Sequence, residues 1–364
     1  MCLAPIIIEN PYFNSPIKDS KFRLAHNTVD SHIAVPCGRC SVCLHLKQIY
    51  MVQRVQMEAL CNDLFFGTLT YNKESLPVAK FGDIEFAYVD LSDWQKMIKM
   101  IRKDYPDLKF KYLLVTEYGS KKHRPHIHFI LSLLRSSDLL SEKIGKAYDL
   151  FHIFLKYWRR NVAPKVWSDK RQKFITDSRN PEWIPLCTYK RNQRSYNFDL
   201  HYLDPLSSKD GTDGVSFYVT KYVLKYDDWV DKFKSKLFFN LDEEQYKEAF
   251  SLFRPRVLIS KGFGSPDSPL VKKHIIEGIN LALHDPKAFK PYYISRNNGQ
   301  TFPLAPYYQQ RFLTVDSQII FHSRLPDNEL SDVDIYDFDQ NQFKLSEVQS
   351  FLFQKTNLFD YEEI

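Results

Sequence analysis

The stretch TEYGSKKHRPHIHFIL (Thr116–Leu131) decides the fold of this chain. Two runs, FKYLLVTEYG and PHIHFILSLL, flank the polar loop SKKHR, and both are rich in residues that strands favour. The pattern predicts a β-hairpin. Side chains alternate between the two faces of a strand, so His126 and His128 share one face while Ile127 and Phe129 share the other.

The two histidines are predicted metal ligands. Imidazoles two residues apart on a strand stand about 7 Å apart and can converge on one ion. Pairing across the loop places Glu117 roughly opposite His126, so its carboxylate is a third candidate ligand. This donor set suits a divalent ion that keeps open positions for substrate and water. The alternative is a pair of exposed histidines on a solvated sheet face.

The rest of the chain predicts further elements around this hairpin. Apolar periodicity and turn residues predict a helix over Ser41–Cys61, a strand over Leu64–Tyr71, a helix from an N-cap at Ser92 to Pro106, a helix near 138–160 and a helix over Val215–Phe233. Helices mixed with antiparallel strands indicate an α+β protein. We expect a central antiparallel sheet flanked by helices, with an N-terminal arm and a mainly helical or irregular C-terminal extension.

Charge is distributed unevenly along the 364 residues. The net charge is +6, but residues 326–364 carry ten acids and two lysines, which leaves a net of +14 in residues 1–325. A basic body favours nucleic acid as the partner, although a solvated basic face would look the same. No apolar run approaches the ~18 residues of a membrane helix, and the start MCLAPIII has no basic segment typical of a secretory signal. We therefore expect a reducing compartment and six reduced cysteines.

The segment YVTKYVLKY contains a second candidate site. Tyr218 and Tyr222 lie one helical turn apart on one face, and Lys221 and Lys225 each follow a tyrosine by three residues. A neighbouring ammonium favours the phenolate and can neutralise a phosphate, so the tyrosines are candidate nucleophiles and the lysines their cations. Ordinary packing of an amphipathic helix is the alternative.

Two further motifs concern metal and DNA. Cys37, Cys40 and Cys43 form C-x2-C-x2-C, a candidate zinc site if His45, Cys61 or His32 adds a fourth ligand, and otherwise a group of reduced cysteines that opens a helix. Basic residues interleaved with aromatic ones in YKRNQRSYNFDLHY (189–202) suit single-stranded nucleic acid, or else form a polar connector. The predicted DNA-binding residues are Lys121, Lys122, Arg124, Arg191 and Arg194.

Taken together, FGTLTY, EYG…RPHIHFIL and YVTKYVLK resemble the HUH endonucleases, and in particular the rolling-circle replication initiators of microviruses of the gokushovirus-like branch. PCGRCSVC and SKGFGS also resemble that branch, and the resemblance covers roughly residues 35–265. It implies a single-stranded DNA endonuclease and strand transferase that uses Mg²⁺ or Mn²⁺ on His126, His128 and Glu117. It also implies a 5′-phosphotyrosine intermediate and a free 3′-OH that primes synthesis.

The resemblance carries further expectations about partners and domains. The partners are the replication origin, a host helicase and a host polymerase, in the cytoplasm of a bacterial host. No membrane and no nucleotide cofactor are expected, and the sequence contains no GxxxxGK[ST] motif. The expected segments are an arm with the cysteine cluster and a helix (1–62), the HUH catalytic domain (63–235), a helical extension (236–325) and an acidic tail (326–364).

Three rival functions stay open at this point. Non-haem iron oxygenases also use two histidines and a carboxylate, but usually with one histidine far downstream, and the tyrosines would have no role there. A basic single-strand binding protein would need neither the histidines nor the tyrosines. An HUH transposase or relaxase is the nearest relative in chemistry, but the YVTKYVLK pattern favours the replication initiators.

Overall fold

The computed structural model describes most of the chain between residues 3 and 324. The described residues are 3–10, 31–38, 40–119, 122–163, 165–168, 172–176, 182–187, 198–203, 228–288, 290–295, 299–314, 316–317, 320–321 and 324. The acidic tail and most of the predicted helix over Val215–Phe233 lie outside them. Nothing in the described part is a helix long and apolar enough to cross a membrane.

The described residues form fifteen strands and seven helices. The strands are β1 (Ile6–Glu9), β2 (His32–Val35), β3 (Asn62–Thr70), β4 (Val78–Phe81), β5 (Ile84–Ala87), β6 (Phe110–Tyr118), β7 (Pro125–Leu134), β8 (Arg159–Val162), β9 (Lys165–Ser168), β10 (Lys173–Thr176), β11 (Glu182–Pro185), β12 (Phe198–Leu203), β13 (Val257–Ile259), β14 (Tyr292–Ile294) and β15 (Thr301–Pro303). The helices are α1 (Ser41–Glu58), α2 (Leu91–Asp104), α3 (Leu140–Tyr157), α4 (Asp228–Asn240), α5 (Glu243–Phe253), α6 (Pro269–His284) and α7 (Pro306–Phe312).

The chain divides into two compact units. One comprises residues 54–265, and the other comprises residues 1–53 together with 266–364. The first unit contains a five-stranded antiparallel sheet in the order β12-β3-β7-β6-β13. The predicted α+β class, with a central antiparallel sheet and flanking helices, is confirmed. The predicted domain boundaries stay a prediction, although β13, which lies in the expected helical extension, forms an edge of this sheet.

One face of the sheet carries the main hydrophobic core of this unit. Alternate residues of β7, among them Ile127 and Phe129, are buried against α2 and α3. The ring of Phe129 lies 5.1 Å from that of Trp94 and stacks at 5.5 Å on that of Phe154. Because Gly67 pairs with Phe129, a Cβ at Gly67 would lie 2.3 Å from Cζ of Phe129. The glycine of FGTLTY therefore makes room for a core aromatic ring.

The capping of α2 corrects one prediction. Ser92 is not the N-cap: the helix starts one residue earlier, and the carboxylate of Asp90 accepts the amide hydrogen of Ser92 at 2.9 Å. Asp90 has the extended backbone that a capping residue needs, whereas Ser92 already lies in the first turn. The helix ends at Asp104, before Pro106, as expected.

The SKGFGS loop has a structural role at the other end of the sheet. The buried carboxylate of Glu58 accepts hydrogen bonds from the amide of Gly264 at 2.5 Å and from Lys111 Nζ at 2.9 Å. Gly264 has φ +64°, and a Cβ there would lie 2.6 Å from the carbonyl oxygen of Arg54. The loop thus closes over a buried ion pair, which explains its glycine without any role in chemistry.

The second unit contains two small strand pairs and two helices in its described part. β1 pairs with β2, and β14 pairs with β15, each antiparallel. Gln53 of α1 fixes the chain after β15, because its amide donates to the carbonyl of Pro303 at 2.7 Å and accepts from the amide of Ala305 at 2.9 Å.

Candidate active site

The hairpin of β6 and β7 positions the predicted metal ligands. Glu117 pairs with His126, and Val115 pairs with His128, as the pattern across the loop predicted. The imidazole centroids of the two histidines lie 6.3 Å apart on the face opposite the hydrophobic core. The structure therefore brings the three side chains to one face of the sheet.

The carboxylate of Glu117 lies diagonally across from its paired residue. Nε2 of His128 donates to Oε1 of Glu117 at 2.9 Å, although His126 is the residue that stands opposite Glu117 in the ladder. Both Glu117 and His128 are only 9% exposed. A charge-assisted contact so far removed from water is electrostatically strong, and it defines the position that a cation would share.

Two threonines hold the other ring nitrogens. Thr68 pairs with His128 and Thr70 pairs with His126, both on the neighbouring strand β3. Their hydroxyls lie 3.0 Å from Nδ1 of His128 and 2.8 Å from Nδ1 of His126. With both Nδ1 atoms engaged, Nε2 is the nitrogen left to face a ligand in each ring. The motif FGTLTY held the signal, because its threonines alternate with the same period as the histidines.

The loop between the two strands packs closely around His126. Gly119 follows β6, and a Cβ on it would lie 2.9 Å from Nε2 of His126. His123 has φ +46°, and its ring stacks on that of Trp229 at 4.0 Å with an interplanar angle of 2°. The glycine of EYG is therefore a steric requirement of the site, and the first turn of α4 lies against the same loop.

The predicted DNA-binding residues divide between described and undescribed parts. Lys122 is exposed on the loop between β6 and β7. Arg124 is half-buried and donates through Nη2 to the carbonyl of Tyr71 at 2.5 Å, so it joins the loop to the end of β3. The other three, Lys121, Arg191 and Arg194, lie outside the described residues.

The predicted nucleophiles also lie outside the described residues. These are Tyr218 and Tyr222 with their partners Lys221 and Lys225. Two tyrosines near the hairpin are poor substitutes for them. Burial raises the pKa of Tyr118, whose hydroxyl donates to a main-chain carbonyl, and burial beside Asp93 raises the pKa of Tyr71 well above its ordinary value.

Two residues on β12 extend the site face and were missed from the sequence. Asp199 pairs with Thr68 and is exposed on the same side of the sheet as His128. His201, two residues on, lies 3.4 Å from the Asp199 carboxylate, and the hydrogen bond between them lowers the pKa of Asp199. Their alternation in FDLHY was a signal, but the segment was interpreted only as a basic, aromatic DNA-binding stretch.

The cysteine cluster lies in the other unit. Among the described residues, the one group of three or more His, Cys, Asp or Glu ligand atoms within 4.8 Å of one another consists of Cys37, Cys40 and Cys43. None of the described cysteines forms a disulfide. Burial opposes ionisation of Cys40, but hydrogen bonds from the amides of Cys43 and Leu3 and from the two neighbouring thiols lower its pKa to about 6.

Comparison with known proteins adds a family to this geometry. Residues 64–180 match the model of a family of replication-associated proteins, described under the name ORF2. The match fits a microvirus replication-associated protein. It spans β3, β6 and β7, which carry the threonines, the glutamate and the histidines, and it confirms the resemblance inferred from the motifs. The tyrosine segment lies beyond the matched residues.

Two curated relatives agree with this family. The replication-associated protein ORF4 of Chlamydia phage 1 is 30% identical over 201 residues, which cover 55% of this chain and 40% of that protein. The replication-associated protein ORF2 of Spiroplasma virus 4 is 32% identical over 111 residues, which cover 29% of this chain and 34% of that protein. The chain thus spans less than half the length of either relative. No solved structure matches it significantly.

Proposed function

We propose that this chain initiates rolling-circle replication of a single-stranded DNA phage by nicking and rejoining DNA through a tyrosine. One observation carries the proposal. His126 and His128 share a sheet face with Glu117, each with Nδ1 fixed by a threonine, within the segment that matches replication-associated proteins. The same proposal makes the chain a DNA endonuclease and nucleotidyltransferase that acts in the cytoplasm of a bacterial host.

The residues present fit a divalent ion. Fixing Nδ1 orients the imidazole and leaves Nε2 as the ligand atom, which is the usual arrangement around a metal-bound histidine. When Nε2 holds a cation, Nδ1 keeps its proton and donates to Oγ1 of Thr68 or Thr70. Glu117 supplies negative charge beside His128. Mg²⁺ or Mn²⁺ bound there would polarise the scissile phosphate as a Lewis acid.

The tyrosines would carry out the covalent step. The Oη of Tyr218 or Tyr222 attacks phosphorus, forms a phosphotyrosine bond to the 5′ end and releases the 3′ oxygen of the preceding nucleotide as a hydroxyl. Lys221 and Lys225 favour loss of the phenolic proton and offset charge on the phosphate. After one round of synthesis the second tyrosine attacks the regenerated site, and the free 3′-OH displaces the first tyrosine to close a circle.

The chain length to α4 makes this step reachable. Trp229 stacks on His123 and lies 5.2 Å from the ring of Tyr118, the residue that follows Glu117. Tyr222 is seven residues before Trp229. Seven residues span about 10 Å as a helix and at most about 25 Å when extended, so the nucleophile is tethered within reach of the histidines.

The proposed partners follow from the same chemistry. Single-stranded DNA would approach over Lys122 and the basic residues Lys121, Arg124, Arg191 and Arg194. A phosphotyrosine bond conserves the energy of the cleaved phosphodiester, so rejoining needs no nucleotide cofactor. Strand separation and synthesis would come from a helicase and a polymerase of the host.

The test is a nicking assay on labelled single-stranded origin DNA with Mn²⁺ or Mg²⁺. The variant with His126→Ala and His128→Ala should lose cleavage and keep single-strand binding. A matched variant with His152→Ala and His284→Ala, both exposed on helices, should cleave normally. Full cleavage by the first variant, or by the wild type in excess chelator, would overturn the metal site. Binding without any cleavage in the wild type would indicate a single-strand binding protein.

A further inference from the structure

The three thiols of the cysteine cluster are spaced for a single ion. Their Sγ atoms all lie within 4.8 Å of one another. Thiolates on one tetrahedral Zn²⁺ stand about 3.8 Å apart, because each Zn–S bond is about 2.3 Å. In an iron–sulfur cubane each thiolate binds a different iron, which separates the sulfurs further. The spacing therefore favours one zinc ion over a cluster.

The backbone around the cluster is arranged to support thiolates. The amide of Cys40 donates to Sγ of Cys37 at 3.3 Å, and the amide of Cys43 donates in the same way to Sγ of Cys40. Gly38 has φ +73°, which turns the chain between the first two cysteines, and its carbonyl accepts from Lys47 Nζ at 2.8 Å. Cys43 is only 5% exposed, in the first turn of α1.

The start of the chain supplies a fourth thiol to the same place. The amide of Leu3 donates to Sγ of Cys40. Cys2, which lies outside the described residues, is bonded directly to Leu3, and neighbouring Cα atoms are 3.8 Å apart. The β1–β2 ladder agrees, because its pair Ile6–Val35 brings the residues before β1 alongside those just before Cys37.

The other candidates for a fourth ligand are less well placed. His32 pairs with Glu9 at the opposite end of the ladder from Val35, and its Nδ1 lies 3.0 Å from the hydroxyl of Ser31. His45 is two residues beyond Cys43 on a helix, so the two side chains point to different sides of it. Cys61 follows the opposite end of the 18-residue helix α1.

We propose that Cys2, Cys37, Cys40 and Cys43 together bind one structural Zn²⁺, which fastens the first residues of the chain to the start of α1. Four thiolates leave no open position, so the ion has no part in DNA cleavage. The site is independent of the histidines in the other unit.

The metal content of the purified full chain tests this proposal. Wild type should hold about one zinc per chain, as four-thiolate sites do. Cys2→Ser should weaken zinc binding by more than the roughly tenfold that follows loss of an outer-shell partner, and Cys2→His should restore it because histidine also binds zinc. Cys61→Ser is the matched control and should keep the ion. The variant with His126→Ala and His128→Ala should keep it too, which separates this site from the proposed catalytic one.

A second measurement uses the wild-type chain alone and so does not depend on how variants fold. Alkylation of each cysteine is mapped by mass spectrometry with and without a zinc chelator. Cys2, Cys37, Cys40 and Cys43 should be protected and should become reactive together when the chelator is added. Alkylation of Cys2 that ignores the chelator would overturn the fourth ligand, and a chain purified without zinc, or with iron, would overturn the site.

Discussion

The hydroxyl of Thr68 lies 3.0 Å from Nδ1 of His128, on the neighbouring strand of the same sheet. This contact fixes the ring whose Nε2 we assign to the metal. Thr68→Val keeps the shape of the side chain but removes the hydroxyl, so it should raise the Mn²⁺ concentration needed for half-maximal nicking about 10- to 100-fold.

Thr68→Ser is the matched control for that prediction. Serine keeps the hydroxyl and should retain most of the affinity for Mn²⁺. A purely structural role would instead lower the free energy of unfolding in both variants and leave the Mn²⁺ dependence of nicking unchanged. Unfolding by urea, measured beside the metal titration, separates the two results.

Gly119 provides a steric test of the same site. A Cβ at this position would lie 2.9 Å from Nε2 of His126, so Gly119→Ala should displace the ring and reduce metal-dependent nicking at least about tenfold. Gly145→Ala, in α3 with nothing within 4 Å of the added Cβ, should leave nicking unchanged. Equal nicking rates in the two variants would contradict the assignment of Nε2 as a ligand atom.

Gly67 tests the core beneath the site. Gly67→Ala would place a Cβ 2.3 Å from Phe129, whose ring is buried between Trp94 and Phe154. Overpacking of this kind costs about 1–3 kcal/mol of unfolding free energy, measured by urea denaturation. An unchanged unfolding midpoint would show that the ring has room to move aside.

The basic body of the chain predicts a salt dependence. If the net +14 of residues 1–325 contacts phosphates, the affinity for single-stranded DNA should fall linearly on a log–log plot against salt, with a slope of about −0.7 for each phosphate neutralised. Fluorescence anisotropy with a labelled oligonucleotide measures this slope. A flat response would point to a small substrate instead of DNA.

The sequence predicted the central sheet well because strand periodicity and one polar loop specify a hairpin almost by themselves. Pairing across the loop also gave Glu117 opposite His126. It could not give the diagonal contact with His128, which depends on side-chain torsions. Thr68 and Asp199 were missed for another reason: they reach the site through strand pairings distant in sequence, which no local pattern encodes.

Helix ends were harder to predict for a local reason. Asp90 and Ser92 are both good capping residues, and the choice between them depends on which has extended backbone. The tyrosine helix, the acidic tail and the metal stay predictions, as do the domain boundaries at 62, 235 and 325.

The central claim is that Tyr218 and Tyr222 attack a phosphate held at the histidine face. The most direct measurement is recovery of covalent protein–DNA adducts on a denaturing gel after incubation with labelled origin DNA and Mn²⁺, followed by peptide mapping. Tyr→Phe at either position should leave an adduct through the other tyrosine, and the double variant should leave none. An adduct formed by the double variant, with Tyr226 the first residue to check, or cleavage without any adduct would contradict the account.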